Sequence, residues 1–417
     1  MGTTNSRRRA FAGIAAACAL GLALAGCGGG ETSGAAGGPT KLVWNMWSGS
    51  TAETENWTHL ADMVTAKYPD ITIEFQTTGF NDYWTKLVAQ ASGGETACIL
   101  GVQSLRAPTI SSLLVPLDQE KLQAAGINLA DFDPSIVKGL QVDGEQLGVP
   151  YDFGPLVMYY NVEAFQAAGL PAPKIGWTTD DFMTAARTLT KDGKYGFSLY
   201  PSIDNVTPWS LSASGTHPVV DGKLNLTQPG FEQATQWYVD LVSKEKVAAP
   251  VQATSEGTPA LDKFISGESA MTVDGPWQLI NTAKKTKFTV GVAPMPAGAS
   301  GSHSQVAGSG FGVSTYCDQP EAALKAISVI TGPEALQYLA EQGRAYPART
   351  AQQEKWFRPE LAGARDGLQE AIKNGVFSPT TAKYTQVAQL FRQHGVAAVN
   401  GQTPVPEFLD LVQQQAG

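Results

Sequence analysis

Leu42-Val43-Trp44-Asn45-Met46, Ser50-Thr51-Ala52-Glu53, Ile71-Thr72-Ile73-Glu74-Phe75 and Ala97-Cys98-Ile99-Leu100-Gly101-Val102 are the runs on which the fold turns. The first is an apolar stretch of strand length. Ser50 with Glu53 three residues on is a capping box, and it opens a helix whose apolar face is Trp57, Leu60, Ala61, Val64 and Tyr68. Pro69 stops that helix because proline has no amide hydrogen to continue the ladder. Ile71, Ile73 and Phe75 then alternate as a second strand, Trp84, Leu87, Val88 and Ala91 recur at helical spacing, and Gly93-Gly94 ends the second helix before a third strand at Ala97. Strands alternating with crossover helices predict an α/β domain, whose ligands sit beyond the carboxyl ends of the strands. Trp47, Ser48, Gln103 and Ser104 fall there.

Outward from this block the pattern continues. A second α/β stretch runs from Met158 to Val290, with a helix near Phe231 to Ser243 that sets Ala234, Tyr238, Leu241 and Val242 on one side. Capping boxes at Asp318 with Glu321 and at Thr331 with Glu334 predict two consecutive helices ending at Gly343, and the last third reads as mainly helical. No repeat of fixed period is present, which argues against a solenoid or propeller. With 417 residues, 43% apolar and 16% charged, the chain can bury a sizeable core in two or three domains. The formal net charge of −9 includes a basic leader, so the remainder is more acidic still, and nucleic acid is excluded as a partner.

The leader itself is explicit. Arg7-Arg8-Arg9, an apolar run from Ala10 to Ala25 and a small-residue end at Leu24-Ala25-Gly26 before Cys27 read as an export signal over residues 1–26. A small residue directly before Cys27 resembles the bacterial lipobox, which implies cleavage there and a lipid anchor on Cys27, followed by a flexible linker over 27–40. Arg8-Arg9-Ala10-Phe11 leaves the general and twin-arginine export routes both open. The expected location is the outer face of the cytoplasmic membrane.

Four further blocks carry a resemblance. They are Gly148-Val149-Pro150-Tyr151-Asp152 with Met158-Tyr159-Tyr160-Asn161, Phe165, Gly169-Leu170-Pro171 and Trp177; then Phe264 to Met271 followed by Asp274-Gly275-Pro276-Trp277. Val292-Ala293-Pro294-Met295-Pro296 and Gly308 to Ser314 follow, and then Gly343-Arg344 with Pro347 and Arg349. In this order and spacing they resemble the family 1 extracellular solute-binding proteins of ATP-binding cassette importers, the maltose-binding-protein group, from Lys41 onward. The chain departs from that pattern at Gly215-Thr216, where paired glycines are usual, and near Lys383, where Tyr384 stands in place of tryptophan.

The resemblance implies a two-lobed α/β fold of the periplasmic-binding-protein type (class II), each lobe a central sheet flanked by helices, with hinge crossovers near Gly154, Ala297 and Pro347. Lobe one would be 41–154 plus 298–346, and lobe two 155–297 plus 347–417. The strands holding Cys98 and Cys317 would then be neighbours, leaving either a disulfide or two buried thiols. It also implies capture of a sugar between the lobes by a monomer, and delivery to the permease subunits of the importer.

A pyranose needs aromatic planes for its C–H face and bidentate polar groups for its hydroxyls. Trp47, Trp209 and Trp277 are the stacking candidates, while Trp57, Trp84 and Trp237 on helix faces read as structural. For hydroxyls the candidates are Ser48, Gln103, Ser104, Asp152, Asn205, Arg344, Tyr346 and Tyr384, with Phe311 lending a ring edge. Core packing or a solvated loop end is the plain alternative for each. A polyamine, an iron complex or a phosphorylated polyol is the rival cargo on the same fold. A glycoside hydrolase is the rival class, for which Asp152 and Asp274 could be imagined as the carboxylate pair. No nucleophile elbow or catalytic cysteine context marks an enzyme, and the four histidines lack metal-ligand spacing, so neither metal nor cofactor is expected.

Overall fold

The first strand, β1 (Thr40–Trp47), is followed by α1 (Thr51–Lys67), β2 (Ile71–Thr78), α2 (Phe80–Ser92) and β3 (Ile99–Gln103), the alternation expected. The computed structural model describes residues 39–417 apart from 95–96, 253–257 and 378–379; the leader and the lipidation site at Cys27 lie outside the described residues. β1 runs parallel to β2 on one side and to β3 on the other. Ser50 caps α1 by accepting from the Glu53 amide at 3.2 Å, and the helix buries Trp57, Leu60, Ala61 and Val64 against the sheet.

The chain then runs through β4 (Val149–Pro155) straight into β5 (Val157–Asn161), and on through α3 (Ile203–Ser214), α4 (Pro229–Ser243), β6 (Met271–Asp274), α5 (Pro276–Lys285) and β7 (Val290–Ala293). It returns along β8 (Ser304–Val313), with α6 (Pro320–Ile330), α7 (Pro333–Gln342), β9 (Gly375–Phe377) and α8 (Tyr384–Val399) after it. Two principal sheets result. The larger has the order β9-β8-β3-β1-β2 with β4 also on β8, and the smaller is β6-β5-β7, antiparallel throughout. The passage between the sheets is abrupt: only Leu156 separates β4 from β5. An ideal Cβ on Gly154 would lie 2.3 Å from Pro276 Cγ, so only glycine allows this close approach.

Two hydrophobic clusters follow the two sheets. Trp44 sits edge-on to Trp57, Phe75 and Phe311 in the first, with ring centroids 5.0–5.8 Å apart. Phe182, Phe197 and Trp209 anchor the second. Trp356, Leu361, Leu368 and Ala371 pack in the first cluster, and β9 pairs with β8, while α8 and the C-terminal helix Val405–Ala416 pack in the second.

The expected capping boxes before α6 and α7 are not used. Both helices start at a proline, after Gln319 and Gly332, with no side-chain cap. The fixed φ of proline and its missing amide suit the first helical turn, and this outweighs the cap offered by Asp318 or Thr331. Gly343 does end α7, at φ 78°. Cys98 and Cys317, on neighbouring strands' ends, are joined by a disulfide.

Candidate functional site

A cleft of about 600 Å³ opens beyond the carboxyl ends of β2 and β3. One wall is the start of α2, where Asn81, Asp82, Trp84 and Thr85 follow the turn at Gly79, together with Arg106 just past β3. The opposite wall is α8. Its residues Thr385, Gln389 and Arg392 are spaced four and three apart, which sets them on one face, while Val387, Leu390 and Phe391 face the second core.

Arg106 is the most constrained group here, only 2% exposed. Its guanidinium lies over the rings of Phe80, Trp84 and Tyr384 at 4.8, 5.4 and 5.7 Å. Nη1 donates to Gln103 Oε1 at 2.6 Å, Nη2 lies 3.9 Å from Asp204 Oδ2, and Nε has no acceptor. The Tyr384 hydroxyl donates to Asp204 and receives Gln305 Nε2 at 3.5 Å. Burial, and then the Asp204 charge, hold the Tyr384 phenol well above its ordinary range. Burial and the like charge of Arg106 make the Arg392 cation less favourable than usual. Arg106, Arg392 and Asp82 are the charged groups of the lining, and Asp204 stands behind it beside Arg106.

A second polar group lies where β4 approaches the start of α1. Arg344 pairs with Glu53 at 2.7 Å, donates to the Tyr151 hydroxyl at 3.0 Å and stands 3.7 Å from Asp152. Its guanidinium is 5.0 Å above Trp57. Burial pushes the Asp152 carboxyl up to about 6 against the opposing pull of Arg344 and of hydrogen bonds from Ser309.

The expected site residues are thus dispersed. Gln103 and Tyr384 touch Arg106 beside the cleft, and Asn205 adjoins Asp204 on α3, its Nδ2 donating to the Tyr200 carbonyl at 3.4 Å. Asp152 and Arg344 form the second group. Ser48 shares a hydrogen bond with Thr54, and Ser104 Oγ accepts from the Gly308 amide. Trp47 is buried among Phe80, Tyr83 and Trp84, behind the cleft wall. Trp209 lies with Trp237 along a separate hollow of about 200 Å³, their centroids 4.7 Å apart. Phe311 stacks on Tyr151 at 4.9 Å, fully buried, and Tyr346 packs on Phe153 and Trp356. Trp277 is half-buried and hydrogen-bonds Asp274, whose carboxyl burial pushes up to about 7. Asp152 and Asp274 belong to separate surroundings, and neither lines the cleft.

Asn81, Asp82 and Arg106 were open to the same carboxyl-end rule that selected Gln103 and Ser104. The α8 residues carried no signal, since a polar helix face reads equally as a solvated one. No cluster suited to a metal ion occurs among the described residues.

The profile of the bacterial extracellular solute-binding proteins matches residues 59–364. The sn-glycerol-3-phosphate-binding periplasmic protein UgpB of Pectobacterium atrosepticum is 26% identical over 309 residues, which is 70% of this chain and 66% of that protein. The chain thus spans just under two thirds of the length of that curated relative. The substrate-binding protein Lmo0181 of Listeria monocytogenes, solved with cycloalternan, superposes with a TM-score of 0.83 at 20% identity, over 91% of this chain and 98% of its own. Maltose-bound MalE3 of T. maritima gives 0.78 at 23% identity, over 90% and 99%. The fold is the two-lobed α/β fold of these proteins.

Proposed function

Since the chain belongs to the bacterial extracellular solute-binding proteins, we propose that it captures a neutral sugar between its lobes and hands it to the permease subunits of an ATP-binding cassette importer. The observation that carries this reading is the polar cleft, walled by α2 and Arg106 on one side and by the amide- and hydroxyl-bearing face of α8 on the other. A polyol offers hydroxyls that both donate and accept, so the guanidinium, carboxylate, amide and hydroxyl groups of this lining can all serve it. A volume of about 600 Å³ suits a small solute. The oligosaccharides bound by the Listeria and T. maritima proteins support the choice of cargo, and the glycerol phosphate of UgpB defines the chief rival.

In this reading the protein binds without catalysing. It works as a monomer held by lipid at Cys27 on the outer face of the cytoplasmic membrane, and a solute touching both lobes favours the closed state by its differential affinity. Calorimetry against mono-, di- and oligosaccharides, with glycerol phosphate alongside, tests it. A sugar is expected to bind and to change tryptophan fluorescence, because Trp84 lines the cleft. Tight binding of glycerol phosphate alone would replace the sugar, and hydrolysis of an oligosaccharide would replace the whole reading.

A further inference from the structure

The turn after β3 is bonded by protein groups alone to α8 and to the segment that leads into it from the larger sheet. Leu105 is 3% exposed, and its side chain packs in the second hydrophobic cluster although its neighbour Ala107 packs in the first. The Leu105 carbonyl accepts from Thr380 Oγ1 at 2.6 Å, Thr109 Oγ1 donates to the Ala382 carbonyl at 2.9 Å, and the hydroxyls of Thr109 and Thr385 meet at 3.4 Å. Between these bonds Arg106 reaches Asp204 on α3 and lies over the ring of Tyr384 on α8. The residues before α8 and those after β3 therefore clasp each other at one edge of the cleft.

We propose that residues 105–109 and 380–385 form a solute-independent clasp, with Arg106 and Asp204 as positioning residues that hold the α8 wall opposite the α2 wall. This rests on the two-lobed binding reading above, since a clasp matters only where lobes open. Its parts suit the role. The ion pair is buried on the Arg106 side, where screening is weak, and a charge there without its partner is strongly disfavoured. The Leu105 knob adds apolar burial in the opposite core. Together they set the share of closed protein before any solute arrives, and the apparent dissociation constant scales inversely with that share.

The test uses the full chain with spin labels on cysteines replacing exposed Asp62 and Lys191, one on each lobe. Pulsed dipolar distances are measured without solute. The parent protein is expected to give one narrow distribution, and both Asp204→Asn and Leu105→Ala a broader one extending to longer distances. A closed share falling to about one tenth makes sugar binding roughly tenfold weaker in both variants. Leu105 lines no part of the cleft, so its effect cannot come from a lost solute contact. Distributions unchanged in both folded variants, or a broad one in the parent, overturn the clasp. Distances that respond in a protein that binds no sugar would instead sink the cargo assignment and leave the clasp standing.

Discussion

Replacing Asp274 by asparagine is expected to stabilise the protein at alkaline pH and to leave it unchanged near pH 3.5, below the unfolded carboxyl's value. Asp274 closes β6, where its Oδ1 accepts the Gly275 amide at 2.7 Å, and none of the groups acting on it is a cation. Burial outweighs the hydrogen bonds from Gly275 and Trp277 and lifts the carboxyl from 3.8 to about 7. The sign follows from linkage. The folded chain holds this proton more tightly than the unfolded chain, so its contribution is fully present below the unfolded value and is lost as pH climbs from about 4 to about 7. A rise of that size corresponds to about 4 kcal/mol in full, and the partial exposure of Asp274 reduces the expected effect to about 2 kcal/mol. Asparagine mimics the protonated acid in shape and charge, a carbonyl acceptor beside an uncharged donor group. Urea unfolding of both proteins at pH 3.5 and pH 8.5 is the assay: the curves should coincide at the lower pH and separate, the variant more stable, at the higher. Equal separations at the two pH values would refute the claim that ionisation of a buried group is responsible.

Gly154→Ala forces a methyl onto the Pro276 ring and should lower stability by about 1–3 kcal/mol, visible as a lower melting temperature in scanning calorimetry. An unchanged melting temperature would mean that α5 shifts freely. Phe311→Ala should destabilise by about 3–5 kcal/mol, as for any ring buried among Trp44, Trp57 and Tyr151. If sugar affinity falls while stability holds, Phe311 is a solute contact after all. Reducing the Cys98–Cys317 bond, which spans 219 residues, should lower stability by about 3–5 kcal/mol in matched urea titrations. Overlapping titrations would show that the bond constrains little in the unfolded chain.

The alternation of strand and helix over the first sheet was legible because each element states its own period and its own stop. Ile71, Ile73 and Phe75 alternate, the α1 face recurs at three and four, and Pro69 and Gly93 punctuate them. The starts of α6 and α7 were misread because two local signals competed and the backbone of Pro320 and Pro333 prevailed over a side-chain cap. The site was harder for a different reason. An indole at a strand end, like Trp47, or in a polar run, like Trp209, looks the same in sequence whether it meets a solute or three other rings. Arg106 gained its meaning from Tyr384 and Asp204, which are far from it in sequence, and no local pattern announces such a meeting.

The sulfur bridge from 98 to 317 gathers into one covalent ring the whole run of chain that supplies all three strands of the smaller sheet. When that sheet loosens, its two ends stay fastened to neighbouring positions on the larger one. Recovery is then a search by a tethered loop whose closure entropy has already been spent, and the smaller sheet is rebuilt in place rather than found again from an open chain.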